Sequence, residues 1–236
     1  MTVWTALAAA ARDLVLGETC AACGAPTVSG ALCAGCAAGV AVDPRKVRPL
    51  TPPHGFPPTM AASAYDGVVA RLVVAHKERG RLPLARPLGA LLAAGVVAGG
   101  GSQDGSVVLI PVPSRRATTR RRGHDPVAGM ARAAALALGE AVTVRAVLGH
   151  RRRVADQSGL DLQQRQANLA GALHVTGRLN LAIDADLVVV DDICSSGSTL
   201  AAAARALRAA GVAPQRIRAA VVATPVLLKN AGSAVR

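Results

Sequence analysis

The chain has 236 residues, of which 51% are apolar but only 1% are aromatic, and its charged residues give a formal net charge of +13. This length suits one α/β domain with a small appendage. The scarcity of Phe, Trp and Tyr argues against the aromatic platforms that grip single-stranded nucleic acid. The positive charge favours anionic partners such as nucleic acid, phosphates or pyrophosphate, although a bias toward Arg and Ala codons is an alternative source of it.

The first segment, residues 3–16, has the apolar spacing of a short amphipathic helix, which Gly17 ends. It lacks a basic leader and contains Arg12 and Asp13, so we expect no signal peptide. The apolar segment from Leu88 to Ala98 is too short to cross a bilayer. We therefore expect a cytoplasmic protein without membrane insertion.

Two CxxC pairs come next. Each pair brings two sulfurs to one metal through a tight turn, which predicts a closed, structural zinc knuckle with four thiolate ligands. Too few residues surround it to fold without the metal. The alternatives are buried or disulfide-linked cysteines, or a redox role for one pair, which would leave the other pair unexplained. The predicted ligands are Cys20, Cys23, Cys33 and Cys36.

Residues 43–59 are rich in proline, which predicts a semi-extended linker. The alternative is an ordered arm that packs on the domain. This segment divides the chain into an N-terminal helix with the knuckle (1–42), the linker, a main domain (60–225) and a C-terminal tail (226–236).

The main domain alternates apolar strands with helices, which predicts an open, mostly parallel sheet covered by helices on both faces. Asp66 is a candidate cap for the first helix, which ends in a basic run that suits the negative end of the dipole. Asp125-Pro126 starts the third helix. The expected strands are 60–65, 106–112, 142–148, 171–176, 187–190 and 216–223. The first expected helix follows Asp66 and ends in the basic run 76–81, and the others are 83–98, 125–138, 160–169 and 199–210.

A polar and basic loop follows the strand that ends at Val112. Five arginines lie between Ser114 and Gly123 with no hydrophobic period among them. The functional interpretation of this segment is a basic loop that closes over a polyanion. The alternative is a charged loop that is only exposed to solvent.

The stretch from Leu187 to Thr199 places two carboxylates, Asp191 and Asp192, directly after a buried strand. A loop of small hydroxyl residues around Gly197 follows, and a helix begins. Free N–H groups at such a helix start suit an anion, whereas carboxylates suit sugar hydroxyls and a divalent cation. Together they predict a sugar-phosphate site at the carboxyl edge of the sheet. An ordinary strand–turn–helix with capping acids does not explain two adjacent acids.

This stretch resembles the phosphoribosyl-pyrophosphate (PRPP) signature of type I phosphoribosyltransferases, with serines where that family more often has Thr. The order of features along the chain further resembles the ComF family, competence-type phosphoribosyltransferase-like proteins with an N-terminal zinc knuckle. In one departure, His124-Asp125-Pro126 stands where the family usually has an aromatic residue and Asn-Gln. The supporting features are the CxxC pairs, Tyr65, Lys77 to Gly80, Pro111-Val112-Pro113, Arg122-Gly123, Gln157, Arg165, Asn168 and Asp191-Asp192.

The resemblance implies binding of PRPP or a related sugar phosphate, and magnesium-dependent phosphoribosyl transfer to an acceptor. Asp191 and Asp192 would be the catalytic pair on the ribose hydroxyls. The 5′-phosphate would lie on Ser195, Ser196, Gly197, Ser198 and Thr199, and the pyrophosphate on Ser114, Arg115, Arg116 and Arg122.

The alternative that the family name implies is a non-enzymatic accessory in DNA uptake. It would contact single-stranded DNA or a helicase and use the fold as a scaffold or nucleotide sensor. Cys194 precedes a helix start, which could lower the pKa of its thiol, but a small filler residue is the preferred interpretation.

Overall fold

The computed structural model describes residues 18–27, 31–100, 106–114, 124–150, 173–177, 179 and 185–225. Its centre is a six-stranded sheet in the order β3-β4-β10-β9-β5-β6, in which β3 is antiparallel to β4 and all other pairs are parallel. The strands are β3 (Arg45–Val47), β4 (Thr59–Ala64), β5 (Val107–Pro111), β6 (Val142–Val144), β9 (Asp186–Ile193) and β10 (Ile217–Thr224).

Two antiparallel hairpins lie outside this sheet: β1 (Glu18–Thr19) with β2 (Pro26–Thr27), and β7 (Leu148–His150) with β8 (Leu173–Val175). The helices are α1 (Ala34–Ala38), α2 (Gly67–Arg79), α3 (Ala85–Ala98), α4 (Pro126–Leu138) and α5 (Ser198–Ala209), with 3-10 turns at Leu82–Leu84 and Pro214–Arg216.

The helices cover both faces of the sheet. One apolar cluster joins α2, α3 and α4 to one face, through residues such as Leu72, Leu92 and Met130. A second cluster joins α5 to the opposite face through Leu200 and Leu207. The side chains in the strands are mostly Val and Ala, and a strand buried on both faces needs a continuous apolar run of this kind. The predicted fold class is therefore confirmed.

The chain leaves the two central strands β5 and β9 in opposite directions. From β5 it passes through α4 to β6, at one end of the sheet, and from β9 it passes through α5 to β10, toward the other end. A crevice forms at such a switch point, outside the carboxyl ends of the two strands. The topology thus places the loops that follow Pro111 and Ile193 on either side of one crevice.

Helix α2 lies across the carboxyl edge of the sheet. It begins just after the carboxyl end of β4, yet Lys77, near its last residue, contacts Asp192 at the carboxyl end of β9. Because both ends of α2 lie at this edge, the helix forms a wall of the crevice. Gly80 then ends α2 in the left-handed conformation, with φ of 66°.

Most predicted elements appear within one or two residues of their expected ends, and α4 covers Pro126–Leu138. The expected strand at 142–148 is shorter, because β6 ends at Val144 and Leu148 begins a separate hairpin strand. Asp66 stands at the N-cap of α2 but makes no side-chain capping hydrogen bond. The predicted helices at 3–16 and 160–169 lie outside the described residues.

The segment rich in proline packs against the main domain in the described structure. Residues 45–47 form the edge strand β3, and Ala219 N–H donates to the Pro58 carbonyl at 2.8 Å. Arg208, near the end of α5, donates to the Gly55 carbonyl at 2.8 Å. These contacts correspond to the ordered-arm alternative, and residues 43–58 are called the arm below. The division of the chain into domains stays a prediction.

Candidate functional site

The two acids of β9 lie at the switch-point crevice. Asp191 Oδ1 accepts from Asp192 N–H at 2.9 Å, and Asp192 Oδ1 accepts from Ile193 N–H at 2.9 Å. Asp192 is 4% exposed. Burial, reinforced by the neighbouring charge of Asp192, raises the pKa of Asp191 well above its ordinary value. The surroundings of Asp191 therefore favour its neutral form.

Asp192 forms an ion pair with Lys77, whose Nζ lies 2.6 Å from Asp192 Oδ2. Burial disfavours the ammonium, but the carboxylates of Asp192 and Asp191 outweigh it and raise the pKa of Lys77. The Lys77 side chain is 40% exposed. It therefore neutralises Asp192 while its ammonium group stays within reach of the crevice.

Lys77 is held in place by its neighbour His76, which is 2% exposed. The His76 ring nitrogens lie 3.1 Å from the Arg81 carbonyl and 3.2 Å from the Pro126 carbonyl. The Pro126 carbonyl belongs to the first turn of α4, so His76 ties the end of α2 to the helix that follows β5. This tie fixes the position from which Lys77 reaches Asp192.

The hydroxyl loop lies between β9 and α5. Ser195, Ser196 and Thr199 are exposed, and Ser196 Oγ donates to Ser198 Oγ at 3.0 Å. The N–H groups of Thr199 and Leu200, in the first turn of α5, make no hydrogen bond to any residue in the described part of the chain. Unsatisfied N–H groups at a helix start attract an anion. The loop can thus offer both backbone and hydroxyl donors to a phosphate.

Gly197 is the conformational centre of this loop. Its φ is 73°, in the left-handed region that favours glycine, and it occupies the N-cap position of α5. A Cβ at this position would lie 2.5 Å from Phe56 Cε2 and 2.9 Å from Pro49 Cγ. Two residues of the arm therefore press against the loop where only glycine fits.

Ser114 lies across the crevice, on the loop after β5. Its N–H and its hydroxyl both donate to the carboxylate of Asp125 at 3.3 Å. Asp125 also accepts from Val127 N–H and Ala128 N–H, which is the capping role expected at the start of α4. Ser114 is thus at the crevice, but its donors are already paired. The predicted pyrophosphate ligands Arg115, Arg116 and Arg122 lie outside the described residues.

Cys194 is 1% exposed. Burial, together with the charge of Asp191, raises the pKa of its thiol to about 12. Because the thiolate is the reactive form, a thiol with this pKa is unreactive near neutral pH. The interpretation of Cys194 as a small filler residue therefore agrees with the structure.

A four-cysteine cluster lies near the N-terminus of the described chain. The Sγ atoms of Cys20, Cys23, Cys33 and Cys36 are all within 4.8 Å of one another. The Cys23 and Cys33 Sγ atoms are 3.7 Å apart, close to the separation of about 3.8 Å for two thiolates on a tetrahedral zinc ion. None of the five cysteines forms a disulfide. The donor set and its spacing fit a tetrahedral metal.

The thiols of the cluster titrate unequally. Burial opposes ionisation of Cys20, but hydrogen bonds from backbone N–H groups, Cys33 first, lower the pKa of its thiol to about 6. Hydrogen bonds to the Cys23 and Cys33 sulfurs, with some burial, raise the pKa of Cys36 to about 12. The turns thus favour negative charge on one sulfur before any metal binds.

The cluster is docked on the main domain beside α2. Ala21, Leu32 and Val40 pack on the apolar cluster that contains α2, α3 and α4. Arg81 donates to the Thr19 carbonyl. The Arg81 carbonyl is also the partner of His76, so a short series of contacts links the cysteine cluster to Lys77.

Lys77 and the arm are the site features that sequence reasoning missed. The basic run at the end of α2 was assigned to the helix dipole, and no signal in the sequence shows that α2 crosses the sheet edge. The contact between Phe56 and Gly197 joins residues that are 141 positions apart in the sequence. Only the folded structure reveals such a contact.

Comparison with known proteins supports the same fold. Residues 126–233 match the family model of the phosphoribosyl transferase domain, a range that includes β9, the hydroxyl loop and α5. No curated protein matches the chain. No helix in the described ranges is long and apolar enough to cross a membrane. The mostly parallel sheet and this domain match together support a phosphoribosyltransferase-like fold, which is joined to an N-terminal four-cysteine cluster.

Proposed function

We propose that the chain binds PRPP in the switch-point crevice and transfers its phosphoribosyl group to an acceptor. The observation that carries the proposal is the meeting of three groups at one edge: the acids of β9, the unsatisfied N–H groups of α5, and Lys77. A phosphate and a ribose need these different partners side by side. The domain match over residues 126–233 supports the same ligand class.

The 5′-phosphate is assigned to Ser195–Thr199, where N–H groups and hydroxyls face an anion. The ribose hydroxyls are assigned to Asp191 and Asp192. In the reaction, the bond from C1 of the ribose to pyrophosphate breaks and a bond from C1 to the acceptor forms. Negative charge on Asp192 favours the positive charge that develops on the sugar. Lys77, close to Asp192 and partly exposed, is assigned to the phosphates of the same ligand.

The pyrophosphate is assigned to the loop after β5, with Ser114, Arg115, Arg116 and Arg122. Ser114 would have to release the carboxylate of Asp125 in order to donate to it. Magnesium, which prefers carboxylate, hydroxyl and phosphate oxygens, would neutralise part of the pyrophosphate charge. Asp191 and Asp192 are the described residues at the crevice that suit it.

The four-cysteine cluster is proposed to hold zinc in a structural role. All four ligands come from the protein, so no position is left open for a substrate. Such a site suits a reducing compartment, the cytoplasm.

Calorimetric titration with PRPP in the presence of magnesium tests the proposed ligand. We expect saturable binding to the wild-type chain and at least tenfold weaker binding to Asp192→Asn, because a charge that accepts from the ribose hydroxyls is removed. Asp186→Asn is the matched control, since Asp186 lies at the other end of the same strand, in contact with Arg218. Equal affinities for wild type and Asp192→Asn would refute the assignment of Asp192.

The alternative function, a DNA-uptake accessory, draws on the net charge of +13. Binding of a polyanion by such a surface releases counterions and weakens steeply with salt. A gel-shift assay with single-stranded DNA, with and without PRPP, separates the two functions. A salt-sensitive shift without any calorimetric signal for PRPP would favour the accessory role. Pyrophosphate release on addition of a nucleobase would favour the enzyme.

A further inference from the structure

A second cleft, of about 820 Å³, lies at the amino edge of the sheet. Its floor is formed by the first residues of β4, Thr59 and Met60, by Ala219 near the start of β10, and by the end of α3. The acids and the hydroxyl loop lie at the carboxyl edge. The cleft therefore opens at the opposite edge of the sheet from the site assigned to PRPP, and its volume suits a small organic ligand.

One wall of this cleft is apolar and built from rings. It comes from the arm, in which Pro52, Pro53, Phe56, Pro57 and Pro58 line the space. The wall is fixed by hydrogen bonds to the main domain: Ala219 N–H donates to the Pro58 carbonyl, and Arg208 donates to the Gly55 carbonyl. Flat proline and phenylalanine surfaces held in this way suit a planar apolar group such as a nucleobase.

The cleft also has a polar side, which is lined by the side chains of Lys46, Arg48 and His54. Each of these side chains is exposed, and none of them forms an ion pair or hydrogen bond with another described residue. A third cation, Arg218, is already engaged with the Gly99 carbonyl and with Asp186. No Asp or Glu among the described residues lines the cleft. The charged side chains of this cleft that have no partner in the described part of the chain, Lys46 and Arg48, are thus both positive.

We propose that this cleft is a second binding site, which takes a nucleotide. The base lies on the proline and phenylalanine wall, and the phosphates accept hydrogen bonds from Lys46 and Arg48. Charge-assisted hydrogen bonds to phosphate are among the stronger polar contacts in proteins. A ligand that has only a base or only phosphates would contact only one side of the cleft. This site does not depend on the function proposed for the carboxyl edge.

Fluorescence anisotropy of N-methylanthraniloyl-ADP, titrated with the full zinc-loaded chain, tests the proposal. We expect saturable binding that is at least tenfold weaker in Lys46→Ala/Arg48→Ala. The control is Arg132→Ala/Arg145→Ala, which removes two exposed cations away from the cleft and leaves the affinity within twofold. Thermal unfolding of each variant shows that it is folded. Failure of the probe to bind, or equal affinity in the cleft variant, overturns the proposal.

Competition experiments separate the cleft from the carboxyl edge and from nucleic acid. Unlabelled ADP should displace the probe at least tenfold more effectively than adenosine or pyrophosphate, because each of these supplies only one part of the ligand. Displacement by ribose 5-phosphate would place the probe on the hydroxyl loop and contradict the proposal. Binding of a labelled oligonucleotide that depends on Lys46 and Arg48, without binding of the ADP probe, would assign the cleft to nucleic acid instead.

Discussion

Two adjacent carboxylates at the end of β9 are held in different electrostatic environments. Asp192 is paired with the Lys77 ammonium at 2.6 Å, whereas burial and the charge of Asp192 raise the pKa of Asp191. The two carboxyl groups therefore meet different surroundings although they are adjacent in the sequence, a cation beside Asp192 and burial around Asp191.

The raised pKa of Asp191 predicts a specific dependence of stability on pH. Because its pKa is higher in the folded chain than in the unfolded chain, its favourable contribution is present at low pH and is lost as pH rises through the folded pKa. Asp191→Asn removes this loss, and each unit of pKa shift corresponds to about 1.4 kcal/mol. We therefore expect the variant to melt at a higher temperature than the wild type at pH 8, and at a similar temperature at pH 4.

Thermal unfolding followed by circular dichroism from pH 4 to pH 8 measures this difference. Asp66→Asn is the control, because Asp66 is exposed and makes no capping hydrogen bond. A wild-type melting temperature that rises with pH relative to Asp191→Asn contradicts the assigned direction of the pKa shift.

Gly197 is expected to tolerate no side chain. Gly197→Ala places a side chain at φ of 73° and within 2.5 Å of Phe56, so we expect a loss of stability of more than about 1–2 kcal/mol, the cost of the left-handed backbone alone. PRPP binding should weaken as well, because the loop must move away from Phe56. Gly129→Ala is the control, since its nearest neighbour would be an ordinary 3.8 Å away. Urea denaturation that finds both variants equally stable would rule out this role for Gly197.

At the scale of elements, α2 links the cysteine cluster to the crevice. The cluster contacts Arg81, the Arg81 carbonyl faces His76, and Lys77 reaches Asp192. Anything that loosens the cluster therefore acts on the end of α2. A metal bound by the four cysteines would thus act on the acids only indirectly, through α2.

Metal removal tests this link. We expect about one zinc ion per chain by elemental analysis, a zinc content near zero in Cys33→Ser/Cys36→Ser, and a lower melting temperature in that variant. Cys194→Ala should keep its zinc, because Cys194 lies outside the cluster. We also expect the zinc-free chain to bind PRPP less tightly. Full zinc content in the double variant would show that the cluster is not the metal site.

The arm is the element whose role changes most with the structure. It forms the edge strand β3, presses Pro49 and Phe56 against Gly197, and provides the ring-bearing wall of the second cleft. One segment thus touches both candidate sites. Its proline content, which suggested a linker, instead provides rigid surfaces for packing.

At the scale of the whole molecule, the order of strands sets where a ligand-binding crevice forms. The chain turns in opposite directions after β5 and β9, so the crevice forms between their carboxyl ends. The acids lie in the last residues of β9, the hydroxyl loop follows β9, and Ser114 follows β5. The amino edge is left for a separate cleft, built from the arm and the starts of β4 and β10.

The sequence predicts the parts of the fold that depend on local pattern. The apolar run before Asp191, the Asp125-Pro126 helix start and the spacing of the four cysteines each carry a signal within a few residues. No local pattern of this kind signals the Lys77–Asp192 ion pair or the Phe56–Gly197 contact. They depend on the angle of α2 and the path of the arm, which tertiary packing sets.

Hydrogen–deuterium exchange of the full chain, with and without PRPP and magnesium, tests the central claim most directly. We predict slower exchange of the N–H groups of Thr199 and Leu200 and of the end of α2 around Lys77, because a bound phosphate accepts the unsatisfied N–H groups and holds the ion pair in place. The N–H groups of Gly99 and Gly100, at the amino-edge cleft, should show little change. Protection confined to Gly99 and Gly100, or no protection at Thr199 and Leu200 under saturating PRPP, would contradict the assignment of PRPP to the carboxyl edge.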